Sequence, residues 1–141
     1  MDEIDKKIIE ILSKNSRTSF TEIAKKLNLS EAAIRKRVKK LESEGVIIGY
    51  SLLIDFKKAK KSAAIIGIDT EPEDFINILC DLKKEKEENN YLYEIYSSTG
   101  DHMIMIKVIF DDKEELNKYI EHIKKKKGVK KVCPSILLDS Y

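Results

Sequence analysis

Residues 29–43 read LSEAAIRKRVKKLES, and they place five cationic side chains within the six positions from Arg35 to Lys40. A helix with such a face either contacts an anionic partner or is simply solvated. The composition of the segment is compatible with both interpretations. The segments on either side must therefore distinguish them.

Three short amphipathic helices are predicted in the first 45 residues. The second helix begins after Thr18 or Ser19, which are both good N-caps, and Glu22 is spaced to complete a capping box with Ser19. The third helix ends before Gly45. The apolar stripes are Ile4, Ile8, Ile11 and Leu12 in the first helix, Phe20, Ile23, Ala24 and Leu27 in the second, and Ile34, Val38 and Leu41 in the third.

The link between the second and third helices is only LNLS, residues 27–30. Asn28 tolerates the left-handed conformation that ends a helix, and Ser30 is a good N-cap for the next one. Because so few residues join them, the two helices must cross at a steep angle, as in a helix-turn-helix.

A small β-hairpin is predicted after the third helix. Val46 to Ile54, VIIGYSLLI, contains two short β-branched runs around Gly49 and Tyr50. Three helices and a hairpin predict a winged helix-turn-helix domain over residues 1–54. A generic three-helix bundle with an attached strand is the alternative, but the tight turn and the basic third helix favour DNA binding.

The helical wheel sorts the polar side chains of the third helix, because Ile34, Val38 and Leu41 define its inward direction. The N-terminal part of a recognition helix meets base edges. We therefore predict base contacts from Ser30, Glu31, Ala32, Arg35 and Lys36, and phosphate contacts from Arg37, Lys39 and Lys40. Arg37 lies nearest the buried stripe, so it is expected to run along the core edge toward a phosphate or a backbone carbonyl.

Charge is distributed unevenly along the chain. The net formal charge is +2 overall, but it is +3 over residues 1–54, +3 over residues 55–61 and −4 over the remainder. A basic front half predicts an anionic partner there. Residues 55–61, DFKKAKK, are interpreted as a basic linker whose Lys57, Lys58, Lys60 and Lys61 attract phosphates. The acidic, amphipathic N-terminus predicts no signal peptide, and we expect a cytoplasmic protein.

Residues 62–141 have the pattern of a different domain. The apolar runs AAIIGI, YLYEIYSS, HMIMIKVIF and VKKVCPSILL alternate with two amphipathic helices in the order β-α-β-β-α-β. This order is the ferredoxin-like split βαβ pattern, so the whole chain is predicted to be α+β. Helices on one sheet face would leave an apolar patch on the other face, which predicts dimerisation through the sheet.

Catalytic and metal-binding constellations are not suggested by the sequence, and no cofactor is predicted. His102 and His122 lie in different elements without a cysteine or carboxylate at ligand spacing. The turn Thr99-Gly100-Asp101-His102 between two strands is explained by hairpin chemistry from its spacing alone. It also offers backbone N–H groups, a carboxylate and an imidazole, which suit the carboxylate and ammonium of an amino acid.

The run FTEIAKKLNLSEAAIRKRVKKLESEGVIIGY, followed by a small βαββαβ domain containing SSTGDHMI, resembles the Lrp/AsnC family of leucine-responsive regulators. The resemblance covers essentially the whole chain. It implies a transcription regulator whose winged domain binds double-stranded DNA and whose C-terminal RAM domain forms homodimers that assemble into octamers. It further implies an amino-acid effector in a cleft between dimers, with Thr99, Gly100, Asp101 and His102 as candidate binding residues.

Two other functions compete with this interpretation. The first is an amino-acid sensor that regulates an enzyme through protein contact without binding DNA. The second is an enzyme with a ferredoxin-like catalytic domain, which the absent catalytic constellation disfavours.

Overall fold

The computed structural model describes residues 1–139. Each of its first three helices has a side-chain N-cap. The helices are α1 (Glu3–Lys14), α2 (Phe20–Leu27) and α3 (Glu31–Ser43). The predicted caps are confirmed, because Ser19 Oγ accepts from Glu22 N and Ser30 Oγ accepts from Ala33 N, both at 3.1 Å. Glu22 directs its carboxylate to Lys26 at 2.8 Å, in place of the expected capping-box bond.

The predicted helix-turn-helix is confirmed. Asn28 has φ 55° and ψ 48°, the left-handed conformation that ends α2. Leu29 N then donates to Ala24 O at 2.9 Å, which closes the end of the helix and turns the chain toward α3. The three helices enclose one apolar core formed by Ile8, Leu12, Ile23, Ala24, Ile34, Val38 and Leu41.

The predicted hairpin over Val46–Ile54 is wrong in this structure. Gly45, at φ 68°, ends the third helix, and the amides of Val46 and Ile47 both donate to Leu41 O. Across residues 46–54, all of them described, no β-strand is formed. A two-stranded hairpin is marginal without a surface to pack on. Most apolar side chains of residues 46–54 are exposed, with Ile48 at 93%, while Ile47 packs against the core of the three helices.

The second unit begins at Ile54 and has the predicted β-α-β-β-α-β order. The elements are β1 (Ser62–Thr70), α4 (Phe75–Glu88), β2 (Leu92–Ser97), β3 (Ile104–Phe110), α5 (Lys113–Lys124) and β4 (Val129–Leu137). The four strands form one antiparallel sheet in the order β2-β3-β1-β4. The ferredoxin-like prediction is therefore confirmed.

Both helices of this unit pack on one face of the sheet. The pleat sends alternate residues of β1 and β3 to this face, where they meet the apolar stripes of α4 and α5. The core is isoleucine-rich. Its largest fully buried side chains are Ile66, Ile68, Leu82, Ile104, Ile106, Leu116 and Ile123.

The other face of the sheet differs from the bare apolar surface that the sequence predicted. Phe56, which is only 7% exposed, packs with Ala63 and Ile109 and covers one end of this face. Lys107 Nζ lies 5.8 Å from the Phe56 ring centroid and 3.7 Å from Glu94. Charged and apolar groups therefore share the helix-free face.

Residues 55–61, predicted as a linker, instead belong to the second unit, which starts at residue 54. The segment is folded into a turn, in which Ala59 N donates to Asp55 O at 2.9 Å. Three of its four lysines meet carboxylates of the same unit. The pairs are Lys57 with Asp139 at 3.7 Å, Lys58 with Asp55 at 3.5 Å, and Lys61 with Asp111.

Arg37 joins α3 to the start of α1. Its Nη1 donates to Asp2 Oδ2 and to Asp5 Oδ1, both at 2.7 Å. Asp2 and Asp5 also accept each other's backbone amides in a capping box, and the Asp5 side chain is only 8% exposed. The Asp2 amide, followed by Arg37, holds the pKa of the Asp5 carboxyl below its ordinary value of 3.8.

We expect Arg37→Ala to destabilise the N-terminal unit at neutral pH, because it leaves the enclosed Asp5 carboxylate without its cation. Since the folded-state pKa is lowered, this stabilisation is complete above the ordinary carboxyl pKa and is lost as pH falls through the lowered value. Urea unfolding of both proteins at a series of pH values measures the effect. The difference in midpoint should be full at pH 7 and vanish in acid.

Lys36→Ala is the matched control, since Lys36 is the adjacent exposed cation of the same helix. A midpoint for Lys36→Ala as low as that for Arg37→Ala, or a difference that persists in acid, would contradict the role given to the Arg37 pairs.

Candidate nucleic-acid interface and effector turn

The outer face of α3 carries most of the predicted DNA contacts. Ser30, Glu31, Ala32, Arg35, Lys36, Lys39 and Lys40 are all exposed. Within residues 1–139, neither Lys36 nor Lys39 pairs with a carboxylate, and Lys40 lies 3.7 Å from Glu44. Exposed, weakly paired cations are available to neutralise phosphates. The geometry thus matches the predicted interface, and contact with DNA itself stays a prediction.

Glu31 and Arg35 form a polar network that continues into α2. Arg35 Nη2 donates to Glu31 Oε1 at 2.8 Å, and Thr21 Oγ1 donates to Glu31 Oε2 at 2.7 Å. The Arg35 guanidinium also lies 5.0 Å from the centroid of the Phe20 ring. The i,i+4 spacing could have indicated the first contact. The contacts to Thr21 and Phe20 depend on how the helices cross, so sequence reasoning missed them.

Arg37 departs from the sequence-based prediction. It is half-buried, and it reaches the two carboxylates of α1 where we expected a phosphate or a backbone carbonyl. Arg37 Nη1 is engaged by both carboxylates, which leaves Nη2 and Nε as its remaining donors. We therefore assign Arg37 to holding α1 against α3, and its contact with a phosphate stays a prediction.

The predicted effector turn joins β2 to β3. Ser98 N donates to Met103 O at 2.9 Å, which closes the loop, and Gly100 N donates to Ser98 Oγ at 3.1 Å. Thr99, Gly100 and Asp101 are exposed at its tip. The exposed Asp101 carboxylate at this tip is compatible with the predicted amino-acid site.

His102 is directed away from the tip of that turn. Its Nδ1 lies 3.1 Å from Asp69 Oδ2, and Asp69 Oδ1 accepts from Met103 N at 3.3 Å. The ring lies against Gly67, where an added Cβ would fall 2.1 Å from His102 Cδ2. Only glycine at position 67 leaves room for this contact. Asp69, which fixes the base of the turn, gave no signal in the sequence.

A cavity of about 690 Å³ lies at the opposite end of β2 and β3. Tyr91 and Phe110 stack within it with ring centroids 4.9 Å apart, and Tyr119 packs against both. Tyr93 and Lys118 also line it. The second unit therefore has an aromatic cavity that is separate from the predicted effector turn.

Metal-ligand geometry does not occur in the part of the chain described: no group of three or more His, Cys, Asp or Glu side chains could hold an ion there. Among the described helices, none is long and apolar enough to cross a membrane.

Comparison with known proteins identifies the class. Residues 1–48 match a family model described as winged helix-turn-helix DNA-binding. The HTH-type transcriptional regulator LrpA of Pyrococcus horikoshii is 50% identical over 141 residues, covering 99% of this chain and 97% of its own. The chain is therefore a DNA-binding transcription regulator of the helix-turn-helix type, and not an enzyme.

Solved structures agree over the full length. The B. subtilis LrpC structure superimposes with a TM-score of 0.67 at 26% identity, covering 100% of this chain and 96% of its own. A Neisseria meningitidis transcriptional regulator, solved as an L-Met complex, shares the fold with a TM-score of 0.69 at 20% identity, covering 98% and 90%. With the LrpA relative, these comparisons show that the chain belongs to the Lrp/AsnC family.

Proposed function

We propose that this regulator binds double-stranded DNA as a homodimer that inserts the two α3 helices into successive major grooves. The observation that carries the proposal is the outer face of α3, where Lys36 and Lys39 are exposed and have no carboxylate partner among the described residues. Two helices related by a two-fold axis fit a pseudo-palindromic site with half-sites ~34 Å apart.

The residues of α3 have different roles in this proposal. Arg35 and Lys36 lie in its N-terminal half and read base edges, together with Ser30, Glu31 and Ala32. Lys39 and Lys40 lie further along the same face and contact phosphates. Arg37 supports these contacts from inside the unit by holding α3 in place.

Replacing both Arg35 and Lys36 by alanine should weaken binding and broaden sequence preference, because the replacements remove base contacts. Lys39→Ala should weaken binding equally for all sequences and reduce the slope of log K against log salt by about one. Fluorescence titration of duplexes selected from a random library, over a series of salt concentrations, measures both effects.

Lys84→Ala is the matched control, since it removes an exposed lysine from α4 in the second unit. Unchanged affinity and preference in the double variant would rule out α3 as the reading helix. If wild-type affinity were insensitive to salt and no sequence were enriched, the alternative of an amino-acid sensor that acts through protein contact would be favoured.

The homodimer is proposed to form through the helix-free face of the sheet. Ile65, Gly67, Met105 and Cys133 lie together on this face, as the strand registers place them. Ile65, Met105 and Cys133 are only partly buried within one chain. A second copy would cover this apolar centre, and the family resemblance implies the same sheet pairing followed by assembly of dimers into octamers.

Ile65→Lys should therefore raise the dimer dissociation constant about tenfold or more, because a lysine would have to be desolvated in the interface. Sedimentation velocity over a range of concentrations measures it. Ile76→Lys, at an exposed isoleucine of α4, introduces the same charge on the helical side and should leave assembly unchanged. A fully dimeric Ile65→Lys protein would place the interface elsewhere.

An amino-acid effector is proposed to bind at the turn formed by Thr99, Gly100, Asp101 and His102. The exposed Asp101 carboxylate at the turn supports this location, and a structural relative was solved as an L-Met complex. Binding between dimers would change their assembly and hence the spacing of the α3 helices. Such coupling is reciprocal, so DNA must alter effector affinity by the same factor.

Calorimetric titration with a panel of amino acids that includes L-methionine tests this site on the full-length protein. Asp101→Ala should weaken binding about tenfold or more by removing the ammonium partner. Asp81→Ala, at an exposed aspartate of α4, is the matched control. If Asp101→Ala binds normally and Tyr93→Ala does not, the aromatic cavity is the effector site instead.

A further inference from the structure

Glu31 is an acidic residue on the face of α3 that we propose meets DNA. It is the first residue of the helix, its side chain is 46% exposed, and it is the one acidic residue between Ser30 and Leu41. Negative charge complements the helix dipole at this end. Beside phosphates, however, a carboxylate is repelled and opposes non-specific binding.

Both oxygens of the Glu31 carboxylate are engaged. Oε1 accepts from Arg35 and Oε2 accepts from Thr21, so the group is fixed from its own helix and from α2. The Thr21 bond, followed by the Arg35 bond, holds the pKa of Glu31 below its ordinary value. The carboxylate therefore stays ionised at neutral pH and can only accept hydrogen bonds.

Arg35 is ordered by the same network. Its guanidinium is bonded to Glu31 and lies over the Phe20 ring, which restricts a side chain that otherwise has many rotamers. Part of the conformational entropy of Arg35 is thus lost before DNA is bound, which lowers the cost of making a base contact. The ion pair is exposed, and its carboxylate and guanidinium each have further acceptor or donor sites, so both side chains can contact base edges while the pair persists.

The two side chains have complementary preferences in the major groove. Arginine donates to the O6 and N7 acceptors of guanine, whereas a carboxylate accepts from the N4 amino group of cytosine. Glu31 and Arg35 are four residues apart, which is about 6 Å along the helix axis. That separation brings both within reach of one base pair or two neighbouring ones.

We propose that Glu31 is a specificity-determining residue, which accepts from a cytosine N4 amino group beside the guanine that Arg35 reads. The Glu31 carboxylate repels the phosphate backbone of every sequence, which weakens binding. The hydrogen bond from a cytosine N4 amino group compensates for this repulsion only at sites that have cytosine at the right position. The inference rests on the proposed role of α3 as the reading helix. To that role the inference adds the base that Glu31 selects, and the hydrogen bonds from Thr21 and Arg35 that position the Glu31 carboxylate.

The test is selection of duplexes from a random library by the full-length wild type and by Glu31→Gln. Glutamine keeps the size and an acceptor oxygen, but it pairs best with the N6 and N7 of adenine. Preference for cytosine should fall about tenfold at one position of each half-site, with adenine rising there. Binding to a duplex without the selected sequence should become tighter, because one repulsive charge is removed.

Glu22→Gln is the matched control, since it removes an exposed, lysine-paired glutamate from α2. It should leave the selected base unchanged. A second variant, Thr21→Val, keeps the charge but removes the α2 tether, and should reduce the cytosine preference without tightening non-specific binding.

Two outcomes separate the inference from the proposed function. If wild type enriches no sequence, α3 is not a reading helix and the proposed function fails. If wild type enriches a site and Glu31→Gln selects the same bases with uniformly tighter binding, Glu31 is only a repulsive charge and the inference is overturned. Circular dichroism melting of each variant confirms that the N-terminal unit is folded during selection.

Discussion

The bond between Arg37 and the acidic pair at the start of α1 is the constraint on which the N-terminal unit depends. It joins α3 to α1, which is distant in sequence, while the apolar core packs the same two helices together along their buried faces. The Asp5 carboxylate is largely enclosed, so this bond is costly to break. A reading helix needs such support, because base contacts fail when side chains shift by about 1 Å.

The second unit uses its sheet in two different ways. One face is closed by α4 and α5 over an isoleucine-rich core. The other face is closed at one end by Phe56 and left partly open at its centre. The segment that was expected to be a linker therefore limits the area through which a second copy could pack.

Local patterns account for the parts of the structure that the sequence predicted well. The helix stripes, the caps at Ser19 and Ser30, and the left-handed Asn28 involve residues only a few positions apart. The βαββαβ order followed from alternating apolar runs. Interactions between residues a few positions apart can be predicted from a sequence because the geometry of a helix or strand fixes their separation.

Contacts between distant residues account for the failures. The hairpin at residues 46–54 required strand pairing that local β propensity does not guarantee. Phe56 packs against Ile109 of β3, and Asp69 meets His102 across 33 positions. In the candidate interface, the exposure of the outer face of α3 agrees with the helical wheel, but the partners of Arg37 and the contact of Glu31 with Thr21 depended on tertiary packing.

Ion pairs within each unit determine which basic side chains can attract an anionic partner. The basic segments suggested a front half open to an anion, yet Lys57, Lys58 and Lys61 each meet a carboxylate of the second unit. In α3, Arg37 is committed to the core edge, while Lys36 and Lys39 have no such partner in the described chain. The outer face of α3 thus keeps two exposed lysines that can attract phosphates. On that face, Glu31 is the one acidic residue between Ser30 and Leu41, and its charge opposes the attraction that the lysines exert on phosphates.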